Sequence, residues 1–253
     1  MRLSAIIGCV GLTMATPLAA HPHVAQREVL VIVAHPDDEL FIAPAIAAEA
    51  RSGSRVTIIY ATDGDAGPGV STFEPGEALG TARRLEAQCA TDALGAGIVH
   101  LQLGDGTLTA APRRDDSPAV RLRTMLREEI AQRRPDVIIA WGPDGGYGHG
   151  DHRMVSAITT EVVQAIDAET RPTLLYSAIP AGRMPAGTPF GAWAETDPAL
   201  LTVSYTYNDD DMDRANNAAQ CHVTQFDAGT RAALMPFLAS TVWQGEVAFR
   251  KAF

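Results

Sequence analysis

From Glu28 onward, short β-branched runs alternate with longer stretches rich in Ala, Leu, Arg and Glu, and few folds accommodate that alternation. Runs at 29–33, 56–60, 98–101 and 137–140 predict strands. The stretches 40–51, 77–94, 118–133 and 151–168 predict the helices between them. Strand–helix–strand order of this kind builds a parallel sheet covered on both faces. The expected fold class is therefore α/β, a single-domain Rossmann-like parallel or mixed sheet with helices on both faces. After 173–176 the chain turns Pro- and Gly-rich over 180–198, which suggests a surface loop over the carboxyl edge of the sheet. Helical patterns at 209–221 and 228–238 close the domain. No repeat, low-complexity tract or long linker marks off a second domain, so one domain is expected over 21–253.

Residues 1–20 differ in kind. Arg2 is their only charge, an apolar stretch follows from Leu3 to Met14, and small residues precede His21. This predicts a secretory signal peptide over 1–20 and an exported protein, periplasmic or secreted. A membrane anchor fits less well, because Gly8, Gly11 and Pro17 interrupt a stretch shorter than the roughly 20 residues a span needs. Removing Arg2 from the 20 Lys+Arg leaves 19 basic against 30 acidic residues, a charge of −11. With no basic run, the chain is a poor partner for nucleic acid or for an anionic membrane once the signal is cleaved. A small-molecule partner is expected, and a homo-oligomer is left open. Cys89 and Cys221 remain after the signal; an oxidising compartment permits a bridge between them, and two buried thiols fit equally.

The chemistry concentrates at two strand ends. The first strand runs straight into Ala34-His35-Pro36-Asp37-Asp38-Glu39, at the carboxyl end where open α/β sheets place their ligands. Helix capping explains one Asp and Glu39, but neither His35 nor the paired carboxylates, which repel unless a cation or helix N-terminus offsets them. The fourth strand leads into Trp141-Gly142-Pro143-Asp144-Gly145-Gly146-Tyr147-Gly148-His149-Gly150-Asp151-His152. If these strands neighbour one another, both clusters face one crevice. His35 and Asp38 can then converge on an ion, and a remote histidine can complete a three-ligand set of the kind that suits a catalytic Zn²⁺. Asp63, Asp65 and Glu74 have some calcium-loop spacing, but Gly67 replaces a ligand and Pro68 stands where glycine is required.

The strand-borne AHPDDE and the downstream GHGDH resemble the PIG-L/LmbE family of zinc-dependent N-acetylglucosamine deacetylases. Further matches are Thr62-Asp63-Gly64-Asp65, Arg83 with Glu86, Leu94-Gly95, Leu103-Gly104-Asp105-Gly106, Arg134-Pro135-Asp136 and His222-x-Thr224-Gln225. They span roughly Val29 to Gln225. The run Gly145 to His149 is similar to the loop of the mycothiol-making branch, whose deacetylase acts on a glucosaminyl-inositol, while Gly150 departs from the proline of many members.

The resemblance implies one zinc ion per chain, with Fe²⁺ or Co²⁺ as substitutes, held by His35, Asp38 and His152. It also implies that Asp37 is the general base, that His149 stabilises the transition state with Asp151 orienting it, and that Tyr147 assists the oxyanion. Zinc lowers the pKa of a bound water to about 7, which suits attack on an amide carbonyl. Arg83 and Asp105 match positions that touch the sugar or its aglycone, although Arg83 also suits a helical pair with Glu86. The implied function is removal of an N-acetyl or small N-acyl group from an amino-sugar derivative. An amidase for a larger glycoconjugate or acylated natural product is the alternative among enzymes. A noncatalytic zinc- or sugar-binding module is the alternative outside them.

Overall fold

The computed structural model describes residues 26–108, 114–188 and 193–253; the expected signal peptide and Cys9 lie outside the described residues. The first apolar run forms β1 (Glu28–Val33), buried along its whole length. A tight 3-10 turn (Asp38–Ile42) leads to α1 (Ala43–Arg51), so the helix expected from residue 40 begins in a narrower turn. Then come β2 (Arg55–Thr62), α2 (Glu77–Leu94), β3 (Gly97–Leu103), α3 (Pro118–Arg133) and β4 (Val137–Ala140). They are followed by α4 (Gly150–Gln164), which ends earlier than expected, and β5 (Thr173–Ser177). The last elements are β6 (Val203–Thr206), α5 (Asp209–Cys221), α6 (Ala228–Leu238) and β7 (Glu246–Lys251).

The seven strands lie in the order β3-β2-β1-β4-β5-β7-β6. The first five are parallel, whereas β7 runs against both β5 and β6. Period-2 alternation splits the core in two. Val29, Val31 and Val33 face α1, α2, α5 and α6, while Leu30 and Ile32 face α3 and α4. Both faces of the central strands are thus covered, which is why they read as continuous apolar runs rather than alternating ones. Burying a side chain such as Ile32, with no exposed surface, contributes about 1.5–3 kcal/mol.

The topology fixes where a site can form. From β1 the chain moves outward through β2 and β3, then returns to the opposite side of β1 with β4. The β1/β4 boundary is therefore the switch point, and the crevice beyond its carboxyl ends is where ligands bind in open α/β sheets.

The sheet is the mixed form of the expected fold, but its antiparallel strands β6 and β7 lie outside the runs that predict strands. Asp209 and Asp210 form the exposed, acidic start of α5, but Asp211 is not solvated. Asp211 is fully buried, forms a capping box with Asn208, and receives two hydrogen bonds from Arg51, at 2.9 and 2.8 Å. Among the described residues no helix is long and apolar enough to cross a membrane.

Candidate active site

The loop after β1 is tied by its own acids. Asp38 Oδ2 accepts from the backbone N–H groups of Ala34 and His35, both at 2.9 Å, and closes the turn. Asp37 sits at φ 103°, a left-handed conformation costing roughly 1–3 kcal/mol in a residue with a Cβ. The fully buried Glu39 supports it, because its Oε2 accepts the Asp37 N–H at 2.9 Å.

The adjacent loop, after β4, is shaped by glycine. Gly145, Gly146 and Gly148 have φ of 69°, 71° and 90°. A Cβ on Gly146 would meet Trp141 Cζ3 at 2.9 Å. Its absence lets the Trp141 ring lie beneath the loop, where it stacks on His152 at 4.9 Å and 4°. His149 caps α4, its Nδ1 accepting the Asp151 N–H at 3.2 Å.

Three side chains from the two loops converge. His152 Nε2 lies 2.9 Å from Asp38 Oδ1 and 3.2 Å from His35 Nδ1, and His35 Nδ1 lies 3.7 Å from Asp38 Oδ2. The outer nitrogens of both rings face acceptors. His152 Nδ1 faces the Gly145 carbonyl at 3.2 Å, and His35 Nε2 faces Asp105 Oδ1 at 3.0 Å. These partners assign the ring protons to the outer nitrogens and leave two inner lone pairs aimed at each other and at a carboxylate. Such a set is repulsive unless a cation joins it, and histidines with their far N–H held by a carbonyl or carboxylate are typical metal ligands. The donor set therefore fits a divalent metal ion.

The electrostatics show the same demand for positive charge. Burial would lower the His35 pKa, but hydrogen bonds to Asp105 and Asp151 and the charge of Asp38 push it up to about 10. Burial would raise Asp38, yet His152 and His35 hold it well below the usual carboxylate range. Asp37 moves the other way: burial, opposed by Arg83 and aided by Asp38, pushes it up to about 6. Burial also raises the Tyr147 phenol and lowers His149, the latter with help from His35 and His152.

The sequence profile of GlcNAc-PI de-N-acetylase, PIG-L, matches residues 30–163, more than half of the chain. The chain belongs to the PIG-L family. A 1D-myo-inositol 2-acetamido-2-deoxy-alpha-D-glucopyranoside deacetylase of Corynebacterium urealyticum is 32% identical over 190 residues, 63% of this chain and 56% of that protein. One of Rhodococcus opacus is 28% identical over 263 residues, 86% of this chain and 89% of its own. The chain thus spans little more than half the length of the first relatives it matches. Among solved structures, the N,N'-diacetylchitobiose deacetylase of Pyrococcus horikoshii superposes with a TM-score of 0.66 at 20% identity, over 90% of this chain and 84% of that one. At that identity the likeness concerns the fold.

Several positions that match PIG-L motifs lie elsewhere than the sequence suggests. Asp151 does not orient His149 with its carboxylate. Its Oδ2 accepts from Gly106 N at 2.7 Å and lies 3.4 Å from His35 Nε2, and its Oδ1 accepts from Leu108 N at 3.2 Å. Only its backbone N–H reaches His149. Asp105, expected at the sugar, is engaged by His35 through Oδ1 and by Ala66 N through Oδ2 at 3.1 Å. Arg83 neither pairs with Glu86 nor opens to solvent. Its guanidinium donates to the carbonyls of Gly64 at 2.9 Å and Pro36 at 2.5 Å, and lies 3.4 Å from Asp37 Oδ1. Gly64, at φ 65°, leaves the space this guanidinium fills.

His35, His149 and His152 have ring nitrogens within 4.8 Å of one another, so distance alone admits His149 as a ligand. Its Nδ1 is already an acceptor, which puts the ring proton on Nε2 and makes that atom a donor. Tyr147 packs edge-on against His152 at 5.4 Å and against Trp193 at 5.1 Å. Trp193 comes from the Pro/Gly-rich segment, whose Ala194 N–H donates to the Gly146 carbonyl at 2.8 Å. The same Tyr147 neighbourhood thus draws on a segment that carried no motif.

Proposed function

We propose that this PIG-L protein is a metal-dependent hydrolase that removes an N-acetyl or similar small N-acyl group from an N-acetylglucosamine-type amino sugar. The carrying observation is the convergence of His35, Asp38 and His152 with both outer ring nitrogens engaged by acceptors, in a chain related to sugar deacetylases. Zinc is the proposed ion, and when bound it supplies a Lewis acid and makes hydroxide available near neutral pH.

The chain's own residues do the rest. Asp37, ionised above about pH 6, accepts the proton of the attacking water and delivers it to the leaving amine. Arg83 restrains its carboxylate. His149, neutral with its proton on Nε2, donates to the developing oxyanion, and the protonated Tyr147 hydroxyl gives a second donor. Asp105 and Asp151 hold the His35 ring in the orientation its inner nitrogen needs. No covalent intermediate is required. Export fits this reading as well, since a Cys89–Cys221 disulfide suits an oxidising compartment.

The test is acetate release from a panel of N-acetylglucosamine compounds by protein stripped of metal and given back zinc. Zinc-dependent release is expected. No release from any of them, with one ion bound per chain, would overturn the substrate assignment in favour of a larger amide.

A further inference from the structure

His222 takes no part in the steps above, yet it is a fully buried histidine. It follows the last residue of α5, and its Nε2 lies 2.5 Å from Glu39 Oε1. Its Nδ1 meets no protein partner among the described residues, so the ring proton sits on Nε2 and is donated to Glu39. The other oxygen of Glu39 accepts the Asp37 N–H. Glu39 is therefore a bridge, with His222 on one side and the left-handed Asp37 on the other.

The position of His222 is itself fixed from both sides by α2. Cys221 is bonded to Cys89, with 5.8 Å between their Cα atoms. Thr224 donates through its N–H and its hydroxyl to Glu86, at 2.8 and 2.7 Å. Arg83, Glu86 and Cys89 follow one another at three-residue steps on α2, and Arg83 reaches Asp37 directly. One helix thus holds Asp37 by two routes: through Arg83, and through the segment that carries His222.

We infer that His222 is a positioning residue for the reaction, acting through Glu39 to hold the Asp37 carboxylate in its working orientation. The inference rests on the reading of Asp37 as the base. Its physical basis is that a fully buried carboxylate stripped of a strong donor turns toward another. That turn releases the Asp37 N–H, and a residue with a Cβ keeps a positive φ only while its surroundings over-determine it. The HxTQ motif thereby gains a role besides packing.

The experiment compares His222→Leu, which removes the donor, with His222→Gln, whose amide restores one at nearly the same place. With zinc loaded, His222→Leu is expected to lose about 10–100-fold in kcat, with KM and bound zinc unchanged, and His222→Gln to regain most of it. A second readout needs no substrate: the imidazole proton spectrum of the wild type should hold a strongly deshielded, exchange-protected ring N–H that Glu39→Gln removes. Wild-type kcat in His222→Leu, a loss confined to KM or zinc content, or no recovery in His222→Gln would overturn the inference. If His222→Leu fails to fold, the glutamine variant and the ring-proton signal decide. If the wild type itself releases no acetate, the proposed reaction has failed, while the ring-proton signal still decides the Glu39–His222 contact.

Discussion

The loops after β1 and β4 meet in one crevice but hold their side chains by different physical means. In the first, carboxylates grip the backbone: Asp38 takes two N–H groups, Glu39 takes a third, and Arg83 ties the turn to α2. In the second, missing side chains do the shaping, because three left-handed glycines let Trp141 slide beneath His152. The first loop is braced from below by α2 and the end of α5. The second is backed by an aromatic stack and by the segment at Ala194. The difference matches what each loop is asked to do. A loop that crowds Asp37, Asp38 and Glu39 together needs fixed donors against their repulsion. A loop that packs an imidazole and a phenol against Trp193 and the Trp141–His152 stack needs room in its backbone.

Swapping the losses between the loops tests this contrast most severely. Asp38→Ala is expected to abolish both metal binding and activity, whereas Asp37→Ala should abolish activity with the metal retained, as metal analysis alongside acetate release would reveal. His149→Ala should keep the metal and lose about 10²–10³-fold in kcat. Metal loss in His149→Ala would make His149 a ligand and remove its role as a neutral donor.

The brace beneath the first loop is the next target. Cys89 and Cys221 lie 132 residues apart, and in the chain-entropy account their bond contributes on the order of 4–5 kcal/mol. The double Ser variant should therefore unfold at markedly lower denaturant. Unchanged stability would mean that the Glu86–Thr224 contacts already carry the brace.

Gly146→Ala strains the second loop alone. Its Cβ meets Trp141 at 2.9 Å in a left-handed position, a penalty of about 1–3 kcal/mol. A lower Tm with weakened kcat and retained metal is expected, and a neutral outcome would show that the stack yields freely.

Asp211→Asn sharpens the picture of α5 with the smallest effect. Burial would raise the Asp211 pKa, but Arg51 and the Asn208 N–H outweigh it and hold the carboxyl low. A depressed folded pKa stabilises above the unfolded value of about 3.9 and ceases to as pH falls through the folded one. The variant should thus melt roughly 1–2 °C lower at pH 7, a gap that closes in acid.

Much of this arrangement was legible beforehand. The parallel core announced itself because its strands are buried on both faces and read as unbroken apolar runs; α2, α3, α5 and α6 carry both periodicity and end signals. The antiparallel edge was not legible, since β6 and β7 are partly exposed and depend on pairing with each other and β5. His35 and Asp38 stood out because an imidazole beside repelling acids at a strand end needs an offsetting charge, whereas the choice of His152 as their companion came from the family motif. The partners of Asp105, Asp151 and Arg83 were hidden, because the motif gives a residue's place in the chain but not its side chain's direction.

By itself, then, the sequence determined the parallel strands, the two reactive loops and the kinds of donor they carry, all of which rest on local periodicity and residue chemistry. Only the tertiary structure decided that β4 lies beside β1, that Asp151 turns to His35 rather than His149, and that His222 reaches Glu39 across 183 positions of chain. The reason is that a hydrogen bond is set by distance and direction in space. Neither is encoded in the spacing of residues that only the folded sheet and helices bring together.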